Sequence, residues 1–228
     1  MTDASLLKID ADNSIPAYLV IAQRIREDIL SGVWPMGARL PINQIVEQYG
    51  VSAMPVRDAL NQLLGEGLVT NVAHKGFAIP VVDSAYIGDF FELRRAIESL
   101  LTGRAATRIE DTTLDFVEET AGQFVHRARA GDVAEALRLN RLFHRTINQS
   151  AGNPMALEIL EGRSALIYAL RRKHGYTADK ITDVENEHAA IVRALRARDP
   201  EWAEAAARAH CHSARASSLR AFKQKTPD

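Results

Sequence analysis

Three histidines in the second half of the chain have the residue type and spacing to bind a metal ion. His144, His188 and His210 each fall on the apolar face of a different segment with helical periodicity. Neutral imidazoles from facing helices are a common way for a helical bundle to hold a divalent cation. Each histidine taken alone could instead be a hydrogen-bonded core residue, and that alternative stays open. Asn140, one helical turn before His144, is a candidate oxygen ligand.

Neighbouring residues of the same region are weaker candidates for the metal. His212 would point about 200° away from His210 on a helix, and Cys211 about 100° away. We therefore reject His212 as a ligand and expect Cys211 to be a packed thiol. Glu187 is next to His188 and is expected to point sideways, so no inward carboxylate is predicted near the three histidines.

Six helices are predicted to position these residues, and no strand is predicted after residue 83. The predicted helices are separated by short breaks. At several breaks, a glycine ends one helix and a capping residue or proline starts the next. The predicted helices span residues 84–108, 112–130, 132–150, 154–174, 180–198 and 200–223. Short connections favour antiparallel neighbours, so residues 81–228 are predicted to form one all-α bundle.

Residues 1–80 are predicted to form a different domain, a winged helix-turn-helix. An amphipathic helix over 16–30 comes first, a short apolar pattern follows at 43–49, and Gly50 provides the turn before a helix that begins near Ser52. Residues 67–72 and 76–80 alternate in polarity around a basic tip, which predicts a β-hairpin. The chain is therefore predicted to be mainly α, with an N-terminal winged helix-turn-helix and a C-terminal all-α helical bundle.

The helix after Gly50 has one apolar and one polar face, as a helix inserted into a DNA groove requires. Its buried stripe is predicted to contain Val56, Ala59, Leu60, Leu63 and Leu64. Arg57 lies on the opposite face, where it could contact a phosphate or a guanine edge. The residues expected to face DNA are Arg39, Ser52, Ala53, Met54, Arg57, Asn61, His74 and Lys75.

Charge and composition limit the partners of the chain. The net charge is −1 for 228 residues, and residues 1–80 hold six Lys or Arg against eight Asp or Glu. Any DNA binding must therefore rest on a local basic cluster, and it should weaken steeply with salt. With a single cysteine, an acidic N-terminus and no apolar run of about 20 residues, we expect a cytoplasmic protein with no membrane partner.

Several motifs resemble those of known bacterial regulators. Residues 37–41 (GARLP), 49–60 (YGVSAMPVRDAL) and 66–69 (EGLV) are similar to the DNA-binding domain of GntR-type transcription regulators. The resemblance implies a homodimer that binds a pseudo-palindromic operator in double-stranded DNA. Two positions depart from the family pattern: Ala53 stands where members usually have Arg, and Pro41 where many have a small polar residue.

The second domain resembles the FadR C-terminal domain (FCD) of one GntR subfamily. The motifs are residues 91–98 (FELRRAIE), 140–144 (NRLFH), 153–154 (NP) and 187–191 (EHAAI). The resemblance implies a divalent metal, zinc in the first place with nickel or manganese as alternatives. The implied metal ligands are Asn140, His144, His188 and His210. It further implies a repressor that is controlled by a small organic acid effector bound at this metal.

Arg94 and Arg95 are candidate anchors for the carboxylate of such an effector, because arginine binds carboxylates with two parallel hydrogen bonds. A solvated ion-pairing role is the alternative for each. A different function, a metal-dependent hydrolase with a winged-helix interaction module, would need a general base beside the metal. Since no inward carboxylate is predicted there, we favour the regulator.

Overall fold

The computed structural model describes residues 15–73, 75–162 and 164–223, without the side chains of residues 173 and 174. Within these residues there are ten helices and one two-stranded sheet, which confirms the mainly α fold class. The chain divides into two compact units, with the boundary between Val81 and Val82. None of the described helices is both long and apolar enough to cross a membrane.

The first unit begins with three helices that form a helix-turn-helix. They are α1 (Ala17–Ser31), α2 (Ile42–Tyr49) and α3 (Ala53–Gly65). Gly50, with a φ of 65°, makes the left-handed turn between α2 and α3, a conformation that costs glycine little. The predicted apolar stripe of α3 is buried at Val56, Ala59, Leu60 and Leu63, whereas Leu64 is only half-buried.

Polar contacts fix the three helices around that apolar face. Arg26 of α1 forms an ion pair at 2.8 Å with Glu66, which follows α3. Asp28 of α1 accepts hydrogen bonds from the hydroxyl of Tyr49 at 2.6 Å and from the side-chain amide of Gln48 at 2.9 Å. These contacts orient α3 within the unit and leave its opposite face available to solvent.

A short hairpin completes the first unit. Strand β1 (Thr70–Val72) pairs antiparallel with β2 (Gly76–Ala78), so that Asn71 lies opposite Phe77. Strand β1 is shorter than the predicted run because the backbone N–H groups of Leu68 and Val69 still donate to Leu63 at the end of α3, at 3.0 and 3.3 Å. Strand β2 ends at Ala78, and the N–H of Ile79 donates to Ala38 at 2.9 Å.

Seven helices form the second unit. They are α4 (Ser84–Ala106), α5 (Asp111–Arg129), α6 (Val133–Ser150), α7 (Pro154–Glu161), α8 (Ala165–His174), α9 (Ala178–Arg196) and α10 (Pro200–Lys223). Several start where a side chain caps the first turn, as Asp83 does for α4 and Thr177 for α9. The helix pairs α4 with α10 and α5 with α6 pack side by side, and α9 lies against α5 and α10.

The single helix predicted over 154–174 is wrong, because two helices occupy that span. The regular pattern of hydrogen bonds ends where the N–H of Ser164 donates to Glu161, three residues back, at 3.2 Å. Gly162 lies at the break, and glycine costs a helix interior about 1 kcal/mol relative to alanine. The apolar periodicity continues across the break, so the pattern alone did not show it.

Helices α4 and α10 pack closely against each other. A Cβ atom on Gly103 would overlap the side chain of Glu204, so α10 approaches α4 closely at that point. A buried cluster that includes Leu101, Phe143 and Ile191 fills the space between α4, α6 and α9. These helices therefore hold their inward side chains at fixed positions.

Candidate metal centre and DNA-binding face

The three predicted histidines meet in the interior of the second unit. His144 on α6, His188 on α9 and His210 on α10 are 8%, 1% and 3% exposed. One ligand nitrogen from each lies within 4.8 Å of the others. Nitrogens bound to one zinc ion at about 2.1 Å can be at most about 4.2 Å apart, so only a small adjustment separates the observed cluster from a shared ion.

Two carboxylates orient two of these imidazoles. His144 Nδ1 is 2.7 Å from Glu98 Oε1, and His210 Nδ1 is 2.7 Å from Glu187 Oε2. A carboxylate only accepts hydrogen bonds, so each imidazole carries its proton on Nδ1 and keeps the lone pair on Nε2. That tautomer leaves Nε2 of His144 and His210 able to bind a metal.

Several buried polar atoms at this point lack a hydrogen-bond partner within the described part of the chain. They are Asn140 Oδ1, His144 Nε2 and both ring nitrogens of His188. Each unpaired buried polar group costs about 1–3 kcal/mol, so a cluster of them indicates a missing partner. Three imidazole nitrogens and an amide oxygen fit zinc or nickel, with no charge contributed by any ligand.

The carboxylates correct two expectations from the sequence. Glu187 was expected to point sideways, but its side chain reaches His210 on the neighbouring helix. No inward carboxylate was expected, but Glu98 is 2% exposed and pairs with Arg94. The sequence did contain a sign that Glu98 is buried. Arg94 and Glu98 are oppositely charged, four residues apart and part of an otherwise apolar stripe of α4.

Burial keeps the imidazoles neutral, which is their metal-binding form. Desolvation lowers the pKa of His144 and lowers the pKa of His188 and His210 well below the usual value. Neighbouring imidazoles lower the last two further, whereas Glu98 partly opposes these shifts. Burial by itself would raise the pKa of Glu98, but Arg94 and then His144 outweigh it and hold that pKa well below its usual range.

A pH dependence of stability follows for the metal-free protein. In the unfolded chain these histidines bind protons below a pKa of about 6.5, whereas the folded protein leaves them neutral. The unfolded state therefore binds more protons, and the free energy of unfolding should fall as pH falls below about 6.5, by at most about 1.4 kcal/mol per pH unit for each histidine. Urea unfolding of the second unit in chelator at pH 7.5 and pH 5.5 measures this, and equal stability at both would contradict it.

A cavity of about 90 Å³ opens beside the histidine cluster, with Asn140 and His144 in its wall. Four arginines and two glutamates line it, which leaves a formal charge of +2. The arginines are Arg94, Arg141, Arg145 and Arg171. Apolar side chains line the remainder, including Phe90 and Ile167. The chemistry of the cavity therefore suits a small anion with some apolar surface.

Of the two predicted effector anchors, only Arg94 lines this cavity, and it is already paired with Glu98 at 2.5 Å. Arg95 lies outside this cavity: it is exposed and lines a surface groove with Glu204 and Arg208. Adjacent residues on a helix point about 100° apart, so Arg94 and Arg95 cannot both face one cavity. Arg171, half-buried on α8, was not identified from the sequence.

The predicted DNA-binding residues lie on the surface of the first unit. Every one of them that the structure describes is exposed: Arg39, Ser52, Ala53, Met54, Arg57, Asn61 and Lys75. His74 lies outside the described residues. Helix α3 starts after Ser52 as predicted, but the Ser52 side chain makes no capping hydrogen bond. Arg39 pairs with Ala78 of β2 through a β-bridge, which places it beside the hairpin.

Comparison with known proteins agrees with both units. Residues 17–79 match the family described as bacterial regulatory proteins, gntR family, and residues 89–213 match the FCD domain. An uncharacterized HTH-type transcriptional regulator of Bacillus subtilis, YdhC, is 25% identical over 203 residues, which cover 87% of this chain and 89% of the relative. The HTH-type transcriptional repressor GlaR of Escherichia coli is 25% identical over 195 residues, which cover 82% of this chain and 88% of GlaR.

A solved structure shows that the fold is shared. The chain superposes on Escherichia coli McbR/YncC with a TM-score of 0.69 and 20% sequence identity, over 92% of this chain and 100% of the other. At this identity the likeness concerns the fold alone.

Proposed function

This chain belongs to the GntR-type bacterial transcription regulators that carry an FCD domain, and we propose that it is a repressor whose operator binding is controlled by a small organic acid. Membership of this family indicates a DNA-binding regulator and not an enzyme. Its relatives include proteins named as repressors, among them GlaR and a probable D-xylose utilization operon transcriptional repressor of Paenarthrobacter nicotinovorans. The main support for control by a small organic acid is the buried histidine cluster, which lies beside an arginine-lined cavity.

The exposed face of α3 supports recognition of DNA in the major groove. Arg57 and Asn61 lie one turn apart on that face, and these side chains suit the edges of guanine and adenine respectively. Lys75, in the turn of the hairpin, can contact phosphate without reading sequence. The small number of basic residues favours a dimer, because a second copy doubles the contacts.

A surface on the second unit supports a homodimer. Trp202, Ala205 and Ala209 are exposed at helical spacing along α10, and Leu93 and Leu100 are exposed along α4, which packs against α10. Exposed apolar side chains on two adjacent helices are typical of a surface that associates with another protein. A two-fold dimer on this surface would match a pseudo-palindromic operator.

Asn140, His144, His188 and His210 are the residues that would hold a divalent metal, zinc first and nickel or manganese as alternatives. When bound, the metal supplies positive charge, and expansion beyond its four protein ligands would give it a position for a carboxylate oxygen. The neutral Asn140 leaves that charge undiminished, which favours an anion. Arg171 lines the cavity and would hold a second polar group of the acid.

An acid changes operator binding only if it binds the DNA-bound and DNA-free forms with different affinities. Titration of the zinc-loaded chain into a labelled duplex from the promoter beside its own gene tests the proposal. Two chains should bind per duplex, and at least one of a panel of short mono- and dicarboxylic acids should weaken binding by about 5- to 150-fold, the usual range of such coupling. Turnover of a test ester without duplex binding would favour the hydrolase instead.

A further inference from the structure

We infer that Glu187 is a positioning residue for the metal site: it orients His210 and supplies the negative charge that the metal ligands lack. The inference rests on the proposed metal site and deepens it. Glu187 would act on the metal only through His210. Replacing Glu187 should therefore lower the affinity of the protein for the metal by a measurable amount.

Glu187 connects two of the helices that carry metal ligands. It lies on α9 next to His188, and its carboxylate reaches across to Nδ1 of His210 on α10 at 2.7 Å. The side chains of His210 and Glu187 are 4% and 19% exposed, so water competes little for this contact. Helix α9 thus supplies one ligand directly and sets the ring orientation of another.

The contact determines which nitrogen of His210 can bind a metal. A neutral imidazole has one N–H donor and one acceptor nitrogen, and a carboxylate can only accept. The hydrogen bond to Glu187 therefore holds the proton on Nδ1 and leaves the lone pair on Nε2. Carboxylates that orient metal-bound histidines in this way also make the imidazole a stronger donor to the metal.

Charge distinguishes Glu187 from Glu98, the other carboxylate that contacts a ligand histidine. Glu98 also pairs with the guanidinium of Arg94, whose side chain is 11% exposed and which offsets its charge. Among the described side chains, no lysine or arginine lies within ion-pair distance of Glu187. Lys180 is the nearby cation whose charge interacts with it, without direct contact. Since Asn140 and three neutral imidazoles contribute no charge, Glu187 is the carboxylate best placed to offset that of a divalent ion.

Three variants of the full chain separate orientation from charge. Glu187→Gln keeps an oxygen that can accept the Nδ1 hydrogen bond but removes the charge, whereas Glu187→Ala removes both. Glu185→Gln is the matched control, because Glu185 lies two residues earlier on α9, has a side chain that is 41% exposed and pairs with Arg129 at 2.6 Å. It changes the charge equally without touching a ligand histidine.

Zinc affinity is measured by competition with a chromophoric chelator, and the tautomer of His210 by long-range ¹H–¹⁵N spectra of the metal-free protein. Glu187→Ala should weaken zinc binding by about 10- to 100-fold, the usual effect of losing such a partner. Glu187→Gln should fall between Glu187→Ala and wild type, and Glu185→Gln should bind within about twofold of wild type. Wild type and Glu187→Gln should show the Nδ1–H tautomer, and Glu187→Ala a mixture.

The outcomes identify which claim fails. If Glu187→Ala binds zinc as tightly as Glu185→Gln, the inference is overturned and the metal site stands. An unchanged His210 tautomer in Glu187→Ala would overturn the inference as well. A wild-type chain that takes up no zinc overturns the metal site itself, and the inference with it. Glu187→Gln preserves shape and volume, so it also covers the case in which Glu187→Ala fails to fold.

Discussion

Arg57→Ala is expected to abolish specific operator binding while leaving the protein folded. A bidentate arginine contact to guanine contributes about 1–3 kcal/mol of discrimination. A dimer presents the residue twice, so the expected loss is about 2–6 kcal/mol, or at least roughly 30-fold in affinity. The Arg57 side chain is exposed, and no ion pair with another described residue holds it, so the variant should unfold at the wild-type temperature. Fluorescence anisotropy with a labelled operator and thermal unfolding measure the two expectations.

Arg127→Ala is the control for this experiment. Arg127 is also an exposed arginine, but it lies on α5 of the second unit, where its side chain is 52% exposed. The control should bind the operator as wild type does. If Arg57→Ala and Arg127→Ala bind with equal strength, α3 is not the recognition helix.

Asn140→Asp is expected to increase metal affinity by tenfold or more. The wild-type ligand set carries no charge, and a carboxylate at this position would bring a negative charge into direct contact with the cation. Tenfold corresponds to about 1.4 kcal/mol, which is modest for a charge at that distance in a buried site. Because the variant reduces the net charge at the site, it should also bind acidic effectors more weakly. Chelator competition and effector titration of the zinc-loaded protein measure these changes.

Asn148→Asp makes the same chemical change in the same cavity and serves as the control. Asn148 is one turn after His144, is 3% exposed and, like Asn140, has an unpaired Oδ1 within the described part of the chain. An increase in metal affinity with Asn140→Asp alone indicates direct ligation. Equal increases in both variants would show that any nearby negative charge suffices, and no increase in either would remove Asn140 from the ligand set.

Features with a local cause were predictable from the sequence. The N-terminus of α3, the left-handed turn at Gly50 and the buried stripe that ends at Leu63 follow from backbone preferences and helical periodicity within a few residues. The inward direction of His144 and His188 follows from the same periodicity. The break at Gly162 was missed because the apolar pattern continues through it.

Contacts between helices could not be predicted in this way. The position of a residue along a helix gives its angle about that helix, but not the rotation and spacing of the neighbouring helix. For this reason Glu187, at the edge of the inward face of α9, was expected to point sideways, and only the placement of α10 beside it shows its contact with His210. The burial of Glu98 and the separation of Arg94 from Arg95 have the same origin.

The sequence by itself determined the two kinds of unit, the limits of most helices and the three imidazoles that face inward, because each depends on interactions among residues close along the chain. Only the tertiary structure decided that these imidazoles meet, which carboxylates orient them and which arginines face the cavity. Those relations depend on how α4, α6, α9 and α10 pack, and packing is set by side chains that are far apart in the sequence.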